Sequence, residues 1–193
     1  EQLLATLAHA DAQVRSAAAA SLVKRGDESV LAMRLREGKL PDIARLEVAQ
    51  VIGRASKADI AVTGLSYVAT RGAGSVAASA AGELARFDSP AAFDALGAAV
   101  LHAEAPVRVA AATSLAKLGQ AKGIALLAKA KLDDLDSGAA IEAAMRALFA
   151  AQPTDFVLKA AKDKDPTTRR VAVATLGERL HDRMAARAVA HAE

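Results

Sequence analysis

The stretch PVRVAAATSLAKLG at positions 106–119 decides the fold, because positions 13–26 read QVRSAAAASLVKRG. Nine of these fourteen positions are identical, and the two copies lie 93 residues apart. A third related stretch, TTRRVAVATLGER, covers positions 167–179. Similarity that recurs along one chain indicates a repeat protein, in which each unit packs against its neighbours.

Two columns of apolar residues give the period of the repeat. The first column, with spacings of 30, 32, 31, 33 and 28, consists of Leu22, Ile52, Leu84, Leu115, Leu148 and Leu176. The second, with spacings of 30, 33, 31 and 32, consists of Val30, Ile60, Phe93, Ile124 and Phe156. Two columns with one period of about 31 residues are hard to obtain by chance, even in a chain rich in alanine.

Composition indicates an all-α protein. Alanine, the best helix former, fills 52 of the 193 positions, and aromatic residues make up only 3 %. Alternating Val, Ile, Thr and aromatic runs typical of strands are missing. Charged residues interrupt every apolar stretch before it reaches the ~18 residues of a membrane span, so we predict no transmembrane segment.

Prolines, glycines and capping residues divide the chain into helix pairs. The candidate N-caps are Asp42, Ser89, Asp136 and Thr154, and the glycines expected at helix ends are Gly26, Gly38, Gly72 and Gly119. We predict that the first helices of the pairs cover 28–38, 58–71, 90–103, 121–132 and 154–163. We predict that the second helices cover 12–25, 42–55, 74–86, 106–118, 137–151 and 166–180.

A single pair of amphipathic helices cannot bury both of its apolar faces. Stacking of neighbouring pairs makes a continuous core, in which the alanines permit close approach and the aliphatic columns supply most of the buried area. The chain, residues 1–193, is therefore predicted to be one domain with a helical tail at 182–193. It starts at Glu1 without an initiator methionine, and we expect it to be an excerpt of a longer protein.

The repeats resemble the HEAT-repeat superfamily, and most of all its short bacterial, phycobilisome-lyase-type members. The resemblance rests on ADAQVRSAAAASLVKRG, AEAPVRVAAATSLAKLG and KDPTTRRVAVATLGER, which share an acid, then Val-Arg or its equivalent, alanines and a leucine. It implies an armadillo-like, right-handed α-solenoid of about six stacked antiparallel helix pairs. The acid and arginine positions of the pattern fall on Asp11 and Arg15, Glu104 and Arg108, and Asp165 and Arg169.

Each of these acids precedes its arginine by four residues at the head of a second helix. An acid at that place complements the positive end of the helix and pairs with a cation at i,i+4. We therefore interpret the three pairs as structural. Ala77 and Ile141 occupy the arginine position in two other copies, so an unbroken arginine ladder is not expected.

No residue pattern indicates an enzyme, a metal site or a cofactor. The chain has no cysteine, and its four histidines lie at positions 9, 102, 181 and 191 without a metal-ligand spacing. His9 and His102 occupy equivalent positions at the end of a first helix, where a cation complements the helix dipole. The acidic residues Asp133, Asp134 and Asp136 are read as a capping cluster, because a calcium loop needs more oxygens and a closing Glu.

A nucleic-acid-binding solenoid is an alternative that the charge distribution leaves open. The net charge is only +3, but basic residues gather at Lys117, Lys122, Lys129 and Lys131, and again at Arg169, Arg170, Arg179, Arg183 and Arg187. Acidic residues interleave with the second group, and stacking aromatics are few. These groups are therefore read as solvated helix faces.

The favoured function is a non-enzymatic scaffold that binds a protein or peptide on the concave face of the solenoid. In HEAT-like stacks the second helices line that face, and helical phase gives as candidate contact residues Ser16, Gln50, Thr113, Glu142 and Arg146. The second alternative, which the resemblance brings, is an enzyme or subunit of the bilin-lyase type. Because the segment 3–8 is short and apolar, we expect upstream residues or a partner to cover the amino-terminal layer.

Overall fold

The computed structural model of the protein describes residues 2–36, 40–54, 58–130 and 134–190. Within these ranges the chain is all-helical, and no residue lies in a β-strand. The helices of the described chain are α1 (Gln2–Thr6), α2 (Ala12–Lys24), α3 (Glu28–Arg36), α4 (Asp42–Arg54), α5 (Ala58–Arg71), α6 (Gly74–Leu84), α7 (Pro90–Ala99), α8 (Ala105–Leu118), α9 (Lys122–Leu127), α10 (Leu135–Ala150), α11 (Thr154–Ala160) and α12 (Pro166–Ala190).

Contacts between helices follow two series. Each even-numbered helix from α2 to α10 contacts the next even-numbered helix, and α3, α5, α7 and α9 contact one another in the same consecutive way. In the described chain, side-chain hydrogen bonds that span more than six positions join residues 25 to 33 positions apart. This separation agrees with the period of about 31 residues in the sequence.

The first apolar column lies in the core, as predicted. Its buried members, none more than 4 % exposed, are Leu22, Ile52, Leu84, Leu115 and Leu148, while Leu176 is partly buried against the core. Burial of each such side chain contributes about 2 kcal/mol. The alanines three and four residues before these leucines in α2, α6 and α8 are also buried, which allows the helices to approach closely.

The second apolar column is displaced by one residue in three of its five copies. Val30 and Ile60 are only partly buried, whereas the residues that follow them, Leu31 and Ala61, are fully buried. In α11 the predicted Phe156 is 40 % exposed and Val157 is buried instead. Adjacent apolar residues on one helix point about 100° apart, and only the rotation of the helix against its neighbours selects between them.

Helix ends use the predicted residues in part. Asp11 caps α2 by accepting a hydrogen bond from the amide of Gln13 at 2.7 Å, and Ser89 caps α7 through the amide of Ala92. After α2, Gly26 adopts a left-handed φ of 79° and its amide donates to the carbonyl of Val23, which closes a Schellman turn. Gly119, at φ 68°, ends α8 in the same left-handed region.

Three of the predicted N-caps lie inside their helices instead of before them. Helix α10 begins two residues earlier than expected, because the carboxylate of Asp134 accepts from the amide of Ser137 and places Asp136 inside the first turn. Thr154 is the first residue of α11, which follows Pro153 without a side-chain cap. Asp42 begins α4 and accepts a hydrogen bond from Arg45. Gly38 lies outside the described residues.

The carboxyl-terminal segment continues the preceding helix. We predicted a helix over 166–180 and a separate helical tail over 182–193, but α12 runs without a break from Pro166 to Ala190. Neither Gly nor Pro occurs between residues 178 and 190, so no residue there ends the helix. The last three residues lie outside the described part of the chain.

Candidate functional site

The five residues predicted to contact a partner all lie on even-numbered helices. Ser16 is on α2, Gln50 on α4, Thr113 on α8, and Glu142 and Arg146 on α10. Thr113 is exposed, and the other four are partly exposed. The structure therefore distributes the candidates over one series of helices, and their role in binding stays a prediction.

A row of basic residues, which sequence reasoning missed as a set, lies at the carboxyl-terminal ends of the same series of helices. Each member follows a residue of the buried aliphatic column by two positions, and each is exposed. We call this row the basic column, and it consists of Lys24, Arg54, Arg86 and Lys117. Its spacings of 30, 32 and 31 repeat the period of the chain, which is the signal that could have identified it from the sequence.

An open groove of about 620 Å³ lies between α2 and α4. Its walls include the predicted Ser16 and the apolar side chains of Ala20 and Val51. Lys24 and Arg54, the last residues of α2 and α4, also line it. The groove thus combines an apolar wall with two cations, and we call it the α2–α4 groove.

A second groove, of about 580 Å³, contains the predicted Glu142 and Arg146. Here the charges are paired. The guanidinium of Arg146 donates to Glu178 at 2.8 Å and to Glu142 at 3.4 Å, and Arg170 donates to Glu142 at 2.7 Å. This α10–α12 groove offers a charge-balanced surface, unlike the α2–α4 groove.

A third groove, of about 720 Å³, lies at the amino-terminal layer. Leu3 and Leu4 of α1 line it together with Leu22 and Val30, and all except the buried Leu22 are partly exposed. The expectation that upstream residues or a partner cover this layer stays a prediction.

The three predicted arginines share one structural role. In each case Nη1 of the guanidinium donates to the backbone carbonyls five and six residues earlier, at the end of the preceding turn. Arg15 donates to His9 and Ala10 at 2.6 and 2.7 Å. Arg108 donates to His102 and Ala103, both at 2.7 Å, and Arg169 donates to Asp163 and Lys164 at 2.8 and 2.7 Å. We call this arrangement the arginine turn.

The residue six positions before each arginine completes the turn. The Nδ1 atoms of His9 and His102 accept hydrogen bonds from the amides two residues later, at 3.0 and 3.1 Å. Asp163 takes the same role with its carboxylate, at 2.9 Å. The two equivalent histidines therefore act as hydrogen-bond acceptors within a turn.

The predicted acids have other hydrogen-bond partners than the arginines four residues later. Asp11 caps α2, and Asp165 accepts from the amide of Thr168 at 2.6 Å. Glu104 accepts from the amide of Gly74 at 2.8 Å, so it caps the neighbouring α6. The predicted i,i+4 pairing was based on one isolated helix, whereas amides at the helix starts compete for the same carboxylates.

Two of the arginines also link successive even-numbered helices. Arg15 forms a two-pronged ion pair with Glu47 of α4, at 2.6 and 2.8 Å. The hydrogen bond to Glu47 is the main cause that raises the pKa of Arg15, and Asp11 adds a smaller Coulombic contribution. Arg108 donates to Ser137 of α10 at 3.2 Å and to Asp134. These links were not predicted.

The carboxylate of Asp134 is held by the same contacts. Hydrogen bonds from the hydroxyl and the amide of Ser137, followed by the contact with Arg108, lower its pKa to about 2. The side chain of Asp134 therefore stays ionised in an arrangement that joins the start of α10 to α8. Its lowered pKa therefore has a structural cause.

Arg45 occupies the arginine position of the second repeat but has a different environment. It is 1 % exposed, its guanidinium lies 3.9 Å from the ring centre of Tyr67, and Nη1 donates to Asp42 at 3.1 Å. Stacking on the ring of Tyr67 stabilises this buried cation, whose Nε and Nη2 atoms have no hydrogen-bond partner among the described residues. Arg45 is therefore a core residue of the α4–α5 contact.

The residues considered for nucleic acid or metal binding are dispersed or engaged. Lys117, Lys122 and Lys129 are exposed, but Arg179 donates to the carbonyls of Phe149, Ala150 and Gln152. Lys131, Asp133 and His191 lie outside the described residues. In the described ranges, no three His, Asp or Glu side chains come together as a metal site, and no helix is both long and apolar enough for a bilayer.

No protein-family model matches this chain, and no curated protein does so either.

Proposed function

We propose that the chain is a non-enzymatic α-solenoid of HEAT-like repeats, about six helix pairs long, that binds a protein or peptide on the exposed face of its even-numbered helices. The single observation that carries the proposal is the repeated contact pattern. Each even-numbered helix packs on the next, and long-range side-chain hydrogen bonds join residues about one period apart.

The repeated arginine turn supports the same interpretation. Its three copies, at Arg15, Arg108 and Arg169, use their side chains to satisfy the carbonyls at a helix connection. A solenoid needs such a connection in every repeat, because each turn leaves carbonyls without intrahelical partners. The residues with shifted pKa values, Arg15 and Asp134, also form hydrogen bonds at these connections.

The exposed face supports a binding role because it combines open grooves with varied side chains. Between adjacent even-numbered helices the α2–α4 and α10–α12 grooves are open, and they differ in charge. A rigid row of helices presents such positions at fixed distances, so that specificity depends on the residues in which the repeats differ.

Site-specific photo-crosslinking tests this proposal. A benzophenone amino acid at Thr113, exposed on α8, is compared with the same amino acid at Ala98, exposed on α7 of the other series. In a native lysate we expect protein adducts at position 113 that are absent at position 98. Adducts of equal identity and yield at both positions, or none at position 113, would show that this face is not the binding surface.

A further inference from the structure

The basic column has a register that the stability of single helices does not explain. A cation anywhere in the last turn complements the negative end of a helix. Lys24, Arg54 and Lys117 nevertheless lie two residues after the buried aliphatic residue within α2, α4 and α8, and Arg86 has the same spacing in the turn that follows α6. The dipole requires a charge near the helix end but not this shared spacing, so the common register points to a ligand.

The charges of the column are largely free of internal partners. Among the described residues, Lys24, Arg54 and Lys117 form no ion pair, whereas Arg86 pairs with Glu83 at 3.0 Å. The positions two and six residues before the core residue in the same four helices hold no acid. They are Ser16, Ala20, Leu46, Gln50, Ala78, Gly82, Val109 and Thr113.

The column ends where the charges become paired. The equivalent positions in α10 and α12 hold Ala150 and Glu178, and Glu178 is bonded to Arg146. The face of α2, α4, α6 and α8 is therefore positive, and the face of α10 and α12 is balanced. This asymmetry restricts an anionic partner to the first four even-numbered helices.

We propose that this positive face binds an extended acidic peptide segment, with carboxylates on the basic column and an apolar side chain in the α2–α4 groove. The inference rests on the proposed function and specifies its partner. The groove provides about 620 Å³ beside Lys24 and Arg54, with Ala20 and Val51 in its wall. An acidic segment with interspersed apolar residues complements both features.

Helix spacing sets the register of this peptide. Packed helices lie about 8–10 Å apart, and a peptide in the extended polyproline II conformation advances about 3.1 Å per residue and presents every third side chain on one face. One carboxylate at about every third residue therefore matches one helix of the face. Four cations span about 27 Å, which corresponds to about nine residues of such a peptide.

A peptide fits this face better than a nucleic acid does. A DNA strand carries a phosphate about every 3.4 Å, much denser than one cation per helix. Single-stranded nucleic acids also use exposed aromatic side chains for stacking. Of the five aromatic residues in the chain, only Phe156 on α11 is exposed, and it does not belong to this face.

Fluorescence anisotropy with defined peptides tests the proposal. The probe is a fluorescein-labelled peptide of about twelve residues, with Glu at every third position and Ala, Ser and Leu between. The comparison peptide has the same composition with its Glu residues consecutive. We expect the spaced peptide to bind several-fold more tightly than the clustered one at 150 mM salt.

Two triple variants, each of which removes three positive charges, distinguish binding by the basic column from nonspecific electrostatic attraction. Lys24→Gln with Arg54→Gln and Lys117→Gln removes the three unpaired cations. Lys159→Gln with Lys162→Gln and Lys164→Gln removes three exposed cations at and after α11. At about 0.5 kcal/mol per exposed ion pair, we expect the first variant to lose about tenfold in affinity and the second less than twofold.

All other outcomes would contradict an acidic peptide as the partner. Equal binding of the two peptides, equal losses in the two variants, or no binding at all would overturn the inference. A single-stranded DNA of about twelve nucleotides that binds more tightly than the spaced peptide would overturn it in favour of nucleic acid. If the crosslinks at position 113 persist while the peptide fails, the scaffold stands and only this choice of partner is wrong.

Discussion

The arginine turns before α8 and before α12 are built alike but differ in burial. In both, the guanidinium donates to two backbone carbonyls of the preceding turn, and a side chain six residues earlier accepts a backbone amide. Arg108 in the first turn is only 6 % exposed, whereas Arg169 in the second is exposed.

The difference comes from the helix that follows. Helix α10 packs on α8 and brings Asp134 and Ser137 to the guanidinium of Arg108. In the described part of the chain no helix packs over α12 in that way, and the hydrogen bonds of Arg169 remain within its own turn. The local motif is therefore the same, and the next helix determines how much it stabilises the protein.

The largest expected effect is that of Arg108→Ala. This change removes a nearly buried guanidinium and leaves two carbonyls of the turn and the partly exposed carboxylate of Asp134 without their cation. We expect a loss of about 2 kcal/mol in the free energy of unfolding. Urea unfolding followed by circular dichroism measures the loss, and a value below about 1 kcal/mol would contradict the proposed importance of the α8–α10 link.

Arg15→Lys tests an intermediate case with the charge retained. A single ammonium cannot reproduce the two-pronged contact with Glu47 together with the bonds to His9 and Ala10. We expect a loss of about 1–2 kcal/mol in the free energy of unfolding. The exposed Arg25→Lys is the matched control, expected to change stability by less than about 0.5 kcal/mol. Equal effects would mean that the geometry at Arg15 is unimportant.

The sequence contains what is needed for the repeat and for one side of the core. The column from Leu22 to Leu148 is predicted correctly, because a large aliphatic residue among alanines leaves little choice of buried position. The neighbouring column is misassigned at Val30 and Phe156, where two adjacent apolar residues compete. The rotation that buries Leu31 and Val157 depends on packing between helices, which periodicity does not specify.

The binding partners of the arginines could not be predicted from the sequence either. The positions of the arginines follow from the repeated motif, but Glu47 and Asp134 lie 32 and 26 residues further along the chain than the arginines they bind. Selecting them requires the register between successive helices. The basic column, in contrast, could be predicted from the sequence by counting two residues beyond each member of the core column.

Acid titration tests how much the α8–α10 link contributes to stability. The folded pKa of Asp134, about 2, lies below the ~3.9 of an unfolded aspartate. The stabilisation is therefore complete above about pH 4 and is lost as the pH falls towards 2. We expect Ser137→Ala to raise the pKa of Asp134, because the hydrogen bond from the hydroxyl of Ser137 is the largest cause of the lowered pKa. Carboxyl NMR titration measures both values, and an unchanged pKa would exclude this hydrogen bond as the cause.

The smallest expected effect is that of Arg169→Ala. The exposed guanidinium exchanges its bonds to the carbonyls of Asp163 and Lys164 for bonds to water, so we expect a loss below about 1 kcal/mol. Urea unfolding compares it directly with Arg108→Ala, and hydrogen exchange should report faster opening only at the start of α12. If the two alanine variants lose equal stability, the arginine stabilises the protein through the hydrogen bonds within the turn and not through the contacts with the next helix. A near-zero loss for Arg169→Ala beside a large loss for Arg108→Ala assigns that energy to the link between α8 and α10.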